Sequence, residues 1–181
     1  MNTLKAEKRS MDVKAKKLRR EGFVTGNLFG REIEGSIPLK FTKKEIEVLL
    51  KNNNKGSQVM LELDGKTYDA LIKEVDYNPL AHTVEEVDFQ ALVSNEMVHS
   101  TAEIILENEE KVMSGVLQDE LKEVAYKALP ADLVDKIKVD VAGMKIGDTL
   151  RVKDLEIAKN KNIHITTDPE AVVATVTPVH N

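Results

Sequence analysis

Five cations stand within seven residues near the start of the chain: Lys14, Lys16, Lys17, Arg19 and Arg20, followed directly by Glu21 and Gly22. Ammonium and guanidinium groups packed this densely suit a polyanion, because each phosphate contact gains from counterion release and from long-range steering. Residues 1–31 hold nine Lys or Arg against three acids, so this segment is +6 while the other 150 residues are −11. A solvated helix face would also accept such a run, and the residues alone leave both readings open.

Other chemistries find no footing. His82, His99, His164 and His180 contain no pair at metal-ligand spacing, and cysteine is absent, which removes thiolate nucleophiles, sulfur-ligated metals and disulfides. Gly22, Gly26, Gly30 and Gly35 are too widely spaced for a phosphate-cradling loop and lack its Gly-Lys-Ser/Thr ending. The Gly143 to Asp148 segment reads as a turn between strands, and Ser114-Gly115 lacks the glycine that a nucleophile elbow needs before its serine. Glu85 and Glu86 are adjacent, so a strand would turn them to opposite faces rather than into a catalytic dyad. The expectation is a protein without catalysis, metal or cofactor. With four Phe, three Tyr and no Trp, an interleaved aromatic platform for single-stranded bases is also a poor fit.

The elements that must carry the basic run are mostly strands. Leu4 to Lys8 begins an opening strand, and Asp12 is placed to cap a short helix running to Arg20, with Gly22 as its stop. Phe23 to Phe29 is a strand in which Gly26 marks a bulge or a close backbone approach. Ile37, Leu39 and Phe41 alternate, with Pro38 indicating a sheet edge or a strand start. Thr42-Lys43-Lys44-Glu45 is a capping box, and Ile46, Leu49 and Leu50 give the helical stripe behind it. Val59, Leu61 and Leu63 alternate into the Asp64-Gly65 hairpin signal, returning through Tyr68, Ala70 and Ile72. After the Asn78-Pro79 turn a further strand covers Val84 to Val93. This half reads as a small antiparallel barrel or sheet with a helix over one opening.

Charge balance then shifts. Residues 1–93 hold 16 basic and 15 acidic side chains, whereas residues 94–181 hold 10 and 16, which places a domain boundary near Ser94-Asn95. In the second part, strands are expected at Val98 to Leu106, Val112 to Leu117, Ile137 to Val141 and Ala171 to Val176, with a short cap at Asp132 to Asp135. Leu121 to Leu129 fits either helix or strand. No apolar run approaches the roughly 20 residues of a membrane span, and the first residues lack the apolar core of a secretory signal, so a cytoplasmic protein is expected.

The chain resembles the bacterial large-subunit ribosomal protein L twenty-five family, in its longer, general-stress (Ctc) form. In the first half the resemblance rests on Lys16-Lys17-Leu18-Arg19-Arg20-Glu21-Gly22, Leu28-Phe29-Gly30, Leu71-Ile72-Lys73-Glu74-Val75 and Val87-Asp88-Phe89. In the second half it rests on Ala128-Leu129-Pro130-Ala131-Asp132, Ile137 to Val141, Met144 to Leu150 and Asp154-Leu155. The resemblance implies a mainly β protein with short helices: a six-stranded β-barrel over residues 1–93 that binds 5S rRNA, and an acidic all-β domain over residues 94–181 that packs beside it on the large ribosomal subunit, with neighbouring ribosomal proteins as further expected partners. RNA contacts of the family would map onto Arg9, Lys14, Lys17, Arg19, Arg20, Phe29, Asp76, Glu86 and Asp88, and the basic run and the strand surface themselves add Lys16 and Lys73. Three of these depart from the family pattern. Phe29 stands where tyrosine is usual, Asp76 where glutamine is common, and Glu86 in place of the histidine of His-x-Asp. Two donors have become carboxylates, which implies weaker 5S rRNA binding or a narrower set of bound sequences. The rival expectation, from a different class, is a stress-associated protein with weakened RNA binding that works through protein contacts of its acidic second domain.

Overall fold

The computed structural model describes residues 2–180. Two compact units divide the chain, Met1–Glu96 and Met97–Asn181. The first unit runs past residue 93: Glu96 donates its amide to the Val93 carbonyl at 3.0 Å, and its carboxylate lies 3.6 Å from the Arg31 guanidinium.

Within the first unit the strands are β1 (Thr3–Lys8), β2 (Phe23–Phe29), β3 (Ser36–Thr42), β4 (Gln58–Leu63), β5 (Lys66–Asn78) and β6 (Thr83–Ala91), with helices α1 (Ala15–Arg20) and α2 (Lys43–Asn52). The strands close into a barrel in the order β1-β3-β2-β6-β5-β4. The expected antiparallel order is only partly met, since β1 with β4 and β2 with β6 run parallel. Closure requires those two pairings, because no hairpin joins the strands concerned. Pro38 is not on an exposed edge. It pairs with Asn27 near the start of β3, and its carbonyl accepts the Arg9 amide just beyond the end of β1, so its missing N–H leaves no gap in the ladder.

Alternation fills the barrel. Val24, Leu28, Leu39, Phe41, Val59, Leu61, Ile72, Val87 and Phe89 are all buried, and the Phe41 and Phe89 rings meet with centroids 5.4 Å apart at a tilt of 52°. Each such side chain contributes about 1.5–3 kcal/mol relative to exposure. Helix α2 inserts Ile46 and Leu49 into the same core, and Thr42 Oγ1 caps it by accepting the Glu45 amide at 3.2 Å. Gly26 supplies the close approach, not a bulge: its pairing with Leu39 is regular, and a Cβ there would stand 1.9 Å from the Val87 carbonyl oxygen.

The second unit holds β7 (Val98–Glu107), β8 (Val116–Asp119), β9 (Glu123–Ala128), β10 (Lys136–Asp140), β11 (Thr149–Arg151), β12 (His164–Ile165) and β13 (Val172–Thr177). They form a four-stranded sheet, β10-β7-β9-β12, and a three-stranded sheet, β11-β13-β8. The ambiguous 121–129 stretch is the strand β9, burying Val124, Tyr126 and Ala128 at period two. Tyr126 is tolerated in the core because its hydroxyl accepts from the Val134 amide and donates to the Val134 carbonyl, both at 2.7 Å. The strand expected at 112–117 is shorter and later, since a 3-10 turn at Glu109–Lys111 precedes it. The cap expected at 132–135 is a 3-10 turn at Pro130–Asp132.

Candidate nucleic-acid interface

After β1, Arg9 enters a turn in which Val13 donates to the Ser10 carbonyl, and helix α1 begins at Ala15 with Lys14 in the cap position. Asp12 is not the cap; its amide donates to Ser10 Oγ instead. Only Leu18 of α1 is buried, at 4% exposure. Around it Lys14 in the cap position and Lys16, Lys17 and Arg20 in the helix are exposed, and among the described residues Lys17 alone of these four lies within 4 Å of a carboxylate, 3.9 Å from Glu21. Gly22 at φ 91° then reverses the chain into β2.

Arg19 points the other way. Half-buried, it donates through Nε to the Glu85 carbonyl and through Nη2 to Thr25 Oγ1, both at 3.3 Å, while the Thr25 hydroxyl donates to the same carbonyl at 3.4 Å. Arg9 donates to the Val13 carbonyl at 3.3 Å, closing the turn before α1.

Two irregularities in the β5–β6 ladder compose the adjoining strand face. Between Ile72 and Glu74 the register shifts by one residue at Lys73, which keeps Val75 on the core face with Val87 and sends Glu74 and Asp76 outward opposite Asp88 and Glu86. Between Asp76 and Tyr77 it shifts again, leaving Glu85 as the extra residue on β6. Its carbonyl is thereby available to Arg19 and Thr25, and its carboxylate accepts from Asn78 Nδ2 at 2.9 Å.

The outer face is rich in carboxylates, and β2 completes it. Asn27 donates its amide to Asp88 Oδ1 at 3.1 Å, and its side-chain nitrogen reaches both Glu86 Oε1 and Asp88 Oδ1 at 3.4 Å. Partial burial pushes the Glu86 carboxyl above the usual range, and the neighbouring Asp88 and Asp76 charges add to this against the opposing pull of Arg19 and Arg9. Asp88 is also raised by burial, offset in part by the two Asn27 hydrogen bonds. Burial lowers Lys73. Phe29 is half-buried at the far end of β2, opposite Ser36 on one side and Gln90 on the other.

The expected residues thus fall into three groups: an exposed cationic helix face, a carboxylate face on β5 and β6, and the Phe29 end of β2. Thr25, Asn27 and Glu85 were missed. A polar pair in an otherwise apolar strand signals the first two, but their partners on β6 depend on a parallel pairing that local patterns do not encode. Among the described residues no group of three or more His, Cys, Asp or Glu side chains is arranged to hold a metal ion. A groove of about 690 Å³ between β1 and α2, lined by residues such as Lys5, Thr42 and Val48, includes none of the expected contact residues.

Family models match the chain in two parts: the Ribosomal L25p family over residues 4–89, and the C-terminal domain of ribosomal protein TL5 over residues 97–180. Among individual relatives, a large ribosomal subunit protein bL25 of Bacillus velezensis is 31% identical, covering 98% of this chain and 89% of the relative. Another bL25, from Carboxydothermus hydrogenoformans, is 32% identical over 94% of this chain and 88% of the relative. A third, from a Thermoanaerobacter species, is 29% identical over 90% and 81%. These matches bear on the family as a whole and do not single out its general-stress form.

Proposed function

We propose, because this chain belongs to the ribosomal L25p family, that it is a structural component of the bacterial large ribosomal subunit whose barrel docks on 5S rRNA. It is a ribosomal protein and not an enzyme. In this reading it sits with the ribosome in the cytoplasm and touches neighbouring ribosomal proteins.

The observation that carries the RNA reading is the adjacency of two chemically different surfaces on one barrel. Lys14, Lys16, Lys17 and Arg20 project from a short helix and its cap position, and a strand face with Asp76, Glu86 and Asp88, next to Lys73, lies beside it, joined to the helix by the Arg19 hydrogen bond to the Glu85 carbonyl. Cations meet phosphates and set attraction; a groove-facing strand surface sets register through base edges and 2′-hydroxyls. Asp76 and Glu86 repel phosphate, so this protein binds 5S rRNA more weakly than a relative with glutamine and histidine at those positions.

Filter binding to 5S rRNA over a salt series tests the reading, with an unrelated structured RNA as competitor. Preferential binding whose affinity falls steeply with salt is expected. Equal affinity for both RNAs, together with absence from large-subunit fractions on a sucrose gradient, would overturn it.

A further inference from the structure

The basic helix has little to hold it in place. A six-residue helix is far too short to be stable alone, its cap position has no side-chain hydrogen bond, and it buries Leu18 and nothing else. What ties its last turn to the barrel is Arg19, whose two nitrogens grip the Thr25 hydroxyl and the Glu85 carbonyl. Thr25 is 1% exposed and closes the third side of this triangle by donating to the same carbonyl. Glu85 offers that carbonyl because it is the extra residue at the second ladder irregularity. Three separate elements, α1, β2 and β6, therefore meet at one guanidinium.

We propose that Arg19 is a positioning residue for RNA binding: it latches α1 to Thr25 and Glu85, and the latch fixes where Lys14, Lys16 and Arg20 meet the phosphate backbone. This rests on the RNA-binding reading above and reassigns one cation of the basic run from ligand contact to internal geometry. A guanidinium is suited to the task because its donors leave at fixed angles and reach two acceptors at once. The single nitrogen of a lysine, on a flexible stem, keeps the charge and loses the geometry.

Charge and geometry can therefore be separated by measuring 5S rRNA affinity across a salt series for Arg19→Lys, Arg19→Ala, Thr25→Val and Arg20→Ala. Arg20→Ala removes one contact and flattens the salt slope by about one unit. Arg19→Lys, with no charge lost, flattens it by about two units and weakens binding roughly tenfold, because several contacts are displaced together. Thr25→Val changes a residue that RNA cannot reach and acts in the same direction, and combining it with Arg19→Ala adds little to the single effect. Wild-type affinity and slope in Arg19→Lys, or a loss of one unit in Arg19→Ala with Thr25→Val unaffected, would overturn the proposal.

Amide exchange in the free protein provides the second readout. Residues 15–20 exchange faster in Arg19→Lys and Thr25→Val while β2 and β6 stay protected; unchanged exchange in α1 would show that Arg19 does not anchor it. Should the wild-type protein fail to bind RNA, the functional reading falls, whereas exchange still decides whether the latch exists.

Discussion

Gly26 and Glu86 show how single residues set the limits of this surface. A methyl group on Gly26 would stand 1.9 Å from the Val87 carbonyl oxygen and 3.2 Å from the Phe41 ring, and backbone on a neighbouring strand cannot swing aside as a side-chain tip does. Gly26→Ala must therefore push β2 from β6, where Thr25 and Asn27 meet Glu85, Glu86 and Asp88. A loss of about 3 kcal/mol or more is expected in urea unfolding. Glu86 acts oppositely. Because its folded-state pKa lies above the ordinary value, the folded protein binds its proton more tightly than the unfolded chain does. The contribution of this one group to stability is therefore fully present below its unfolded-state value of about 4 and falls as pH rises from there through the raised folded-state value. Glu86→Gln keeps an acceptor for Asn27 and removes the charge, so the variant should be more stable than wild type at pH 7, by no more than about 1 kcal/mol given its partial exposure. The gain should vanish near pH 3; a gain that persists there would point to packing rather than charge.

Helix α2 and strand β5 differ in how openly their sequences declare them. The cap of α2 is local: Thr42 and Glu45 are three residues apart, and of the two hydrogen bonds of the predicted box the one to Thr42 Oγ1 is present at 3.2 Å, while the return bond to the Glu45 carboxylate is not found among the described residues. Thr42→Ala should cost about 1 kcal/mol in chemical denaturation, while Thr42→Ser should restore most of it. The plug residues Ile46 and Leu49 and the Asp64-Gly65 hairpin were legible for the same reason, since each depends on neighbours in the chain. Strand β5 carries a quieter signal, in which apolar spacing of two through Ala70 and Ile72 becomes three at Val75. That shift marks the irregularity at Lys73, but it becomes readable only once β6 is known to lie alongside. The latch at Arg19 was illegible for a stronger reason: its partners Thr25 and Glu85 are 60 residues apart and are joined by a parallel pairing that nothing local specifies. The basic run could be found from composition, whereas the inward turn of one of its members could not.

Across the whole molecule, the two units differ in charge and each has a core of its own, built around Leu28, Phe41 and Phe89 in one and Val124, Tyr126 and Val173 in the other. Residues 1–96 hold 16 basic and 16 acidic side chains, while residues 97–181 hold 10 and 15, so the whole net charge of −5 resides in the second unit. A neutral barrel with a localised cationic helix can approach RNA, but an attached unit of charge −5 weakens long-range attraction without touching the contacts themselves. Each core is large enough to support an independent domain. A fragment of residues 1–96 should therefore unfold cooperatively, as followed by circular dichroism, and bind 5S rRNA more tightly than the full chain at low ionic strength. The difference should shrink as salt is raised, because at about 0.15 M the screening length is only about 8 Å and charges on a separate unit are largely hidden. The 97–181 fragment should fold without binding RNA at any salt. If the full chain instead binds more tightly than the barrel at every salt concentration, the second unit supplies RNA contacts of its own despite its charge.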